Sequence, residues 1–268
     1  MGVHSRIGNA VLSCVFACIL GFGSSSAVAS TNTTEITDMW FDPAESGWGV
    51  NIILQKDVAF MTFFVYDTNQ NPVWYTAELR YQGPFVWSGA LYATRGPWFG
   101  GPFPPASVTI RQAGTASFSV SANDYNQATL TYVVDGVSVI KSLQRQTWTF
   151  ENYSGQYAGG YSIRATGCVP SSQNGIQEIV GFLGVTQSGT SISISLSASP
   201  ISCSFSGTYS QKGKLGRLDG TYSCTDGTQG SFFVYDMTPT VNGFNGRAVG
   251  QNQYCQWAGY VGGIRRAP

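Results

Sequence analysis

Residues 202–225 read SCSFSGTYSQKGKLGRLDGTYSCT, and this stretch predicts a β-hairpin with a defined register. If Gly213 and Lys214 form a two-residue II′-type turn, the flanking residues pair outward one by one. Cys203 then faces Cys224 directly, and the glycines of the two strands also face each other. Because two independent features agree on one register, the hairpin predicts a disulfide between Cys203 and Cys224.

The first 29 residues have the anatomy of a secretory signal peptide. Arg6 supplies the positive charge, residues 11–22 form an apolar run, and residues 27–29 read Ala-Val-Ala, an A-x-A cleavage site. The run is shorter than the ~20 apolar residues that span a bilayer. A lipoprotein cut before Cys14 or Cys18 is the alternative, but both cysteines lie inside the apolar run, which favours a role as apolar filler.

Cleavage would leave four cysteines in an oxidising compartment, and this even number predicts two disulfides. Four cysteines permit three connectivities. With Cys203 paired to Cys224, Cys168 is left for Cys255, which would join the first strand of this half to its last and close a barrel. Cleavage also removes His4, the only histidine, and with it histidine-dependent catalysis and metal ligation. We therefore expect no metal and no cofactor.

Charge and hydropathy restrict the partners and the compartment. The chain has 14 basic and 14 acidic side chains, so the loss of Arg6 leaves a net charge near −1. Nucleic acid and anionic membrane surfaces both require a basic face. No later stretch is long and apolar enough to span a bilayer, and the strands are too short and serine-rich for an outer-membrane barrel. We expect a periplasmic or extracellular protein that binds no nucleic acid and is not an integral membrane protein.

The mature chain is predicted to be all-β, with almost no helix. Residues 30–38 are polar and aperiodic, a tether, and from residue 39 the pattern has period 2. Six of the seven tryptophans precede residue 149, whereas the four remaining cysteines follow Glu151. We therefore divide the chain into an aromatic-rich domain, 39–150, and a disulfide-stapled, Gly/Ser-rich domain, 151–268. Each is predicted to be a small antiparallel β-barrel or curled sandwich.

Further turns support this organisation. Asp135-Gly136 is a type I′ hairpin signal, and Ser188-Gly189 is predicted to close another hairpin. Glycine followed two positions later by an aromatic recurs in the second domain, for example at Gly220-Thr-Tyr222. Such glycines permit close strand approach, as in the meander of a small closed barrel.

One pair of carboxylates is a candidate for catalysis. Asp42 and Glu45 lie in the stretch MWFDPAESGWG, residues 39–49. Two carboxyl groups about 5–9.5 Å apart can cleave a glycosidic bond, with Glu45 as acid and Asp42 as base or nucleophile. An Asp-Pro turn explains the same residues, and we favour the turn.

Residues 66–72 resemble a calcium loop only in part. Asp67, Asn69 and Asn71 occupy the first ligand positions and Glu78 the last, but Pro72 replaces the required glycine and the flanks read as strands. A polar hairpin loop is the simpler interpretation.

Residues 81–105 concentrate aromatic rings on a Gly/Pro-rich segment. Exposed ring faces there could bind sugars, apolar ligands or proteins. The candidate binding residues form what we call the aromatic rim: Trp87, Tyr92, Trp98, Phe99 and Phe103. In the alternative, Trp87 and Tyr92 belong to the core and the Gly96–Phe99 segment plugs a barrel mouth.

Residues 39–150 resemble a recurrent β-domain of exported Gram-negative proteins, with the motifs DPAESGWG, YDTNQNPVWY and a terminal RQ. This resemblance implies architecture and export but no activity. A weaker resemblance, to the calycins (lipocalin- and avidin-like barrels), implies a cation–π contact between Trp40 on the first strand and Arg145 on the last.

These features favour a non-catalytic exported binding or surface-interaction protein. Its partner would be a small molecule, a glycan or a surface protein at the aromatic rim. The alternatives are a carboxylate-only glycan-active enzyme and a structural or adhesive subunit that self-associates as a homo-oligomer.

Overall fold

A computed structural model describes residues 34–266, and the predicted signal peptide lies outside them. The chain forms two closed eight-stranded antiparallel barrels in tandem, which confirms the predicted all-β class. Strand order follows the sequence in both barrels, and each closes by pairing its first strand with its last.

The strands have 4 to 14 residues, longer than predicted, and most are joined by short turns. The first barrel comprises β1 (Asp38–Phe41), β2 (Gly49–Gln55), β3 (Val58–Tyr66), β4 (Pro72–Gly83), β5 (Val86–Arg95), β6 (Thr109–Val120), β7 (Gln127–Val134) and β8 (Val137–Arg145). The second comprises β9 (Gly155–Thr166), β10 (Gly175–Ser188), β11 (Ser191–Ser197), β12 (Ser202–Lys212), β13 (Leu215–Cys224), β14 (Gln229–Thr240), β15 (Gly243–Asn252) and β16 (Gln256–Arg265). Within residues 34–266, no helix has the length and apolarity needed to cross a membrane.

The hairpin registers follow the sequence, with one exception. Cys203 pairs with Cys224 across β12 and β13, and Asp135-Gly136 forms the β7–β8 turn with positive φ at both residues. The β10–β11 turn was predicted one residue too early. Ser188 pairs with Ser191, so Gly189 and Thr190 form the turn, and Gly189 supplies the positive φ of 57°.

The first barrel has a solid interior. Trp40, Phe63, Trp87 and Phe118 are fully buried, and the rings of Trp40 and Phe118 meet edge to face at 5.1 Å. Large aromatic side chains on successive strands thus fill a barrel whose eight strands leave just enough room for side chains.

The end of the first barrel where β1 begins is closed by the Trp40–Arg145 pair, as the calycin resemblance implied. The Arg145 guanidinium lies 4.5 Å from the centroid of the Trp40 ring. Trp40 donates its indole N–H to the Ile36 carbonyl at 3.0 Å, and Ile36 is fully buried. The prediction that residues 30–38 form a polar tether is therefore wrong for residues 36–38, because Ile36 packs into the barrel end and Asp38 begins β1.

The second barrel is tightened by glycines and two disulfides. Cys203–Cys224 and Cys168–Cys255 are both present, the latter joining the end of β9 to the start of β16. Gly207 and Gly220 pair across β12 and β13, where a Cβ would lie 2.3 Å and 2.1 Å from a carbonyl oxygen of the opposite strand. Glycine is required at this crossing because the strands approach too closely for any side chain.

The second barrel repeats the end closure of the first. Tyr157 on β9 donates its hydroxyl to the carbonyl of Tyr153, four residues earlier, as Trp40 does to Ile36. Arg265, the last residue of β16, lies 5.1 Å from the Tyr157 ring centroid and donates to its hydroxyl at 2.9 Å. An aromatic residue on the first strand and an arginine on the last therefore close both barrels.

The β12–β13 hairpin of the second barrel contacts the closed end of the first. The backbone N–H of Lys214 donates to the Asp38 carboxylate at 3.0 Å, and that of Gly213 donates to the Thr147 hydroxyl at 2.8 Å. A Cβ on Gly213 would lie 2.1 Å from Asp38 Oδ2. The hairpin tip thus completes the surroundings of the Asp38–Arg145 ion pair.

Candidate functional site: a cavity in the second barrel

The structure divides the predicted aromatic rim. Trp98, Phe99 and Phe103 lie in the β5–β6 loop and are 71%, 90% and 56% exposed. The rings of Trp98 and Phe99 contact each other at 5.8 Å. Such exposure is incompatible with the alternative in which this loop plugs a barrel mouth.

The other two members do not belong to an exposed rim. Trp87 is fully buried in the first barrel, so its placement in the binding surface is wrong. Successive side chains of β5 point alternately into and out of the barrel. Trp87 and Leu91 are four residues apart, so both point inward. Tyr92 follows Leu91 at a β-bulge and is half-buried.

The carboxylates of the 39–49 segment are engaged in a turn and an ion pair. The N–H of Ala44 donates to Asp42 Oδ1 at 2.9 Å, and the N–H of Glu45 donates to the Asp42 carbonyl at 3.0 Å. Glu45 accepts hydrogen bonds from Lys141 Nζ and from the Trp48 indole N–H. The bond from Lys141 lowers the pKa of Glu45, whereas a general acid requires a raised pKa. This geometry favours the turn.

The 66–72 segment is a hydrogen-bonded loop. The carboxylate of Asp67 accepts bonds from the backbone N–H groups of Asn69 and Asn71, and the bonds from Asn71 are the main cause of its lowered pKa. Among residues 34–266, no group of three or more His, Cys, Asp or Glu side chains is placed to hold a metal ion.

The second barrel contains a cavity of about 490 Å³. Its deep part is lined by Leu218, Val234, Met237 and Phe244, and its mouth lies among the β9–β10, β13–β14 and β15–β16 connections. Gly160 and Gly262 line it beside branched aliphatic residues such as Ile179 and Val261.

Aromatic rings line the half of the cavity nearest the mouth. Phe205 and Tyr222 stack at 5.5 Å, and the Tyr222 ring meets Trp257 at 6.1 Å and Phe232 at 6.4 Å. The Trp257 indole N–H donates to the Tyr222 hydroxyl at 3.3 Å, which fixes the relative positions of these two rings. We call these four residues the aromatic cluster. Phe205, Tyr222 and Trp257 are only partly buried because the cavity opens between them.

Polar groups converge at the mouth. Asp226, Thr228, Asn252 and Gln177 line it, and Tyr161 lies below them on β9. Burial raises the pKa of Tyr161, and the charges of Tyr222 and Asp226 act in the same direction. Tyr161 therefore remains a neutral phenol that can donate or accept a hydrogen bond.

The floor of the cavity is closed by aromatic rings in edge-to-face contact. Phe244 meets the rings of Tyr157 and Tyr153 edge to face at 5.0 Å and 5.9 Å, and Tyr153 meets Tyr209 at 5.5 Å. The cavity is thus open at one end of the barrel only, away from the hairpin that contacts the first barrel.

Sequence reasoning missed this cavity and its residues. The signal that could have indicated it was the glycine-aromatic repeat, which gives strands such as β12 and β13 an inward glycine beside each ring. That repeat was interpreted as barrel meander alone.

Comparison of the chain with protein-family models and with curated proteins finds no match.

Proposed function

We propose that the protein is an exported, non-catalytic binding protein that holds a small, largely apolar molecule in the cavity of its second barrel. The observation that carries this proposal is the cavity itself, which is apolar in depth and polar at its mouth. Ligand sites are typically clefts of about 300–1,000 Å³ with apolar walls and a few polar groups that orient the ligand.

The contrast between the two barrels supports this proposal. An eight-stranded barrel either fills its interior with side chains or holds one small ligand. The first barrel does the former, with Trp40 and Trp87 fully buried. The side chains around an empty interior lose dispersion contacts. Because both barrels have eight strands and the second still contains a cavity, a bound molecule that supplies those contacts best explains it.

Export is supported by the leader-like first 29 residues and by the two disulfides, which persist in oxidising compartments. The resemblance of residues 39–150 to an exported Gram-negative β-domain supports the same placement, in the periplasm or outside the cell.

Filling the cavity should abolish binding. Ala248 is buried and lines the cavity, so Ala248→Leu places a branched side chain in the ligand's space. We expect the affinity for Nile red, a neutral apolar dye, to fall at least about tenfold, as steric exclusion of about 1.4 kcal/mol or more would give. Fluorescence titration of the purified mature protein measures this change.

Ala258→Leu is the matched control, because Ala258 lies on β16 with its side chain exposed on the outer face. It should leave dye affinity unchanged. Equal affinity of the Ala248→Leu and Ala258→Leu proteins would place the dye outside the cavity and refute the assignment of the site.

A second candidate function is recognition of a glycan or a partner protein by the exposed part of the rim. It is favoured by the exposure of Trp98, Phe99 and Phe103 on one loop, since exposed rings are enriched where proteins bind partners. Self-association through this loop is a separate alternative, and light scattering would detect it.

For this second candidate, Trp98→Ala should abolish binding to a glycan array or partner while changing the free energy of unfolding by less than about 0.5 kcal/mol, because the ring is exposed. Thermal unfolding and array binding are measured together. Unchanged array binding would remove the rim from consideration.

A further inference from the structure

We infer that the cavity of the second barrel selects a cationic amphiphile, an apolar molecule with an amine or quaternary ammonium head group, which the mouth binds between Asp226 and the aromatic cluster. This inference rests on the proposed function and specifies its ligand class.

The charge of the mouth is the first argument. Of the side chains lining the cavity, Asp226 alone is charged, and no described residue forms a salt bridge with it. Its Oδ1 accepts the N–H of Thr228 at 2.9 Å, which fixes the carboxylate on the β13–β14 turn. The other oxygen has no such partner. A carboxylate head group would meet this negative charge without any lining cation to balance it.

The aromatic cluster is the second argument. Tyr222 lies near the end of β13, four residues before Asp226, and both residues line the cavity. The faces of aromatic rings attract cations, and several rings around one site form the cages that recognise quaternary ammonium groups. The ring planes of Tyr222 and Trp257 meet at 68°, and both residues line the cavity.

The residues that line the deep part of the cavity determine the chemistry of the rest of the ligand. Below the cluster the lining is aliphatic and aromatic, with Leu218, Met237 and Phe244 at the floor. This part suits a hydrocarbon tail. It provides no partner for a second charged group, and burying a charge without a partner costs free energy. The ligand is therefore charged at one end only.

Three amphiphiles with the same tail test the inference: decyltrimethylammonium, decanol and decanoate, each titrated calorimetrically into the mature protein. The two ionic amphiphiles are kept below their micelle concentrations and decanol below its solubility limit. We expect decyltrimethylammonium to bind at least about tenfold more tightly than decanoate, with decanol between them. Asp226→Asn should reduce this preference by about tenfold, because asparagine keeps the acceptor for Thr228 but loses the charge.

Glu178→Gln is the charge-matched control. Glu178 lies on the outer face of β10, where it accepts a hydrogen bond from Ser162, and its replacement should leave the preference unchanged. Decanoate binding as tightly as the cation, or an unchanged preference in Asp226→Asn, would overturn the inference and leave the proposed function standing. Failure of all three amphiphiles and of Nile red to bind would overturn both.

Discussion

Replacing Cys168 and Cys255 together by alanine is expected to lower the free energy of unfolding of the second barrel by about 4.6 kcal/mol. This value follows from the loop-closure entropy of the unfolded chain for a separation of 87 residues. The same relation gives about 3.3 kcal/mol for Cys203 and Cys224, which are 21 residues apart. Urea unfolding followed by far-ultraviolet circular dichroism measures both losses.

The order of the two losses is the decisive result. Cys168–Cys255 joins β9 to β16, the pair of strands that closes the barrel, whereas Cys203–Cys224 joins strands already linked by a tight turn. Six of the seven tryptophans lie between Trp40 and Trp148, so tryptophan fluorescence reports mainly on the first barrel. We expect this signal to show an almost unchanged first barrel. A larger loss from the Cys203–Cys224 replacement would contradict the loop-closure argument.

The second large effect is expected at the junction of the barrels. Asp38→Asn should lower the free energy of unfolding by about 3–5 kcal/mol, because it leaves the buried Arg145 guanidinium without its counter-charge. The Arg145 side chain is fully buried and lies 3.1 Å from Asp38. Burial lowers the pKa of Arg145 and Asp38 opposes that shift, so the carboxylate stabilises the charged form.

The exposed pair Arg80–Glu78 provides the comparison. Glu78→Gln removes an ion pair of 2.5 Å between side chains that are both more than half exposed, so we expect a loss below about 1 kcal/mol. A double-mutant cycle with Arg145→Met should give a coupling energy of about 0.5–3 kcal/mol to Asp38. Equal losses for Asp38→Asn and Glu78→Gln would show that the buried pair has no special role.

Local pattern was sufficient for much of the fold. Cys203 and Gly207 independently predicted the β12–β13 register. The same register places each of them opposite a matching residue of β13, a cysteine and a glycine respectively. The Trp40–Arg145 contact came from resemblance, since no local pattern places residues of β1 and β8 together. The turn predicted at Ser188-Gly189 differs from the observed turn by one residue, because either pair of neighbouring residues can form a tight turn.

The errors concern burial and empty space, which depend on the whole barrel. Trp87 was assigned to the surface because residues 81–105 are rich in glycine and proline, yet the alternation of β5 turns it inward. Ile36 was included in a tether because its neighbours are polar, although it packs into the barrel end. The cavity depends on the summed volume of inward side chains from eight strands, and no short window of sequence contains that sum.

The shared aromatic–arginine closure makes the two barrels a matched pair within one polypeptide. They agree in strand number, in strand order and in the way one end is sealed, and they differ in what occupies the middle. In the first barrel, buried side chains such as Met61, Phe63 and Leu91 provide a layer of packing in the interior. A guest molecule would provide that layer in the second, so it would act there as a removable part of the hydrophobic core.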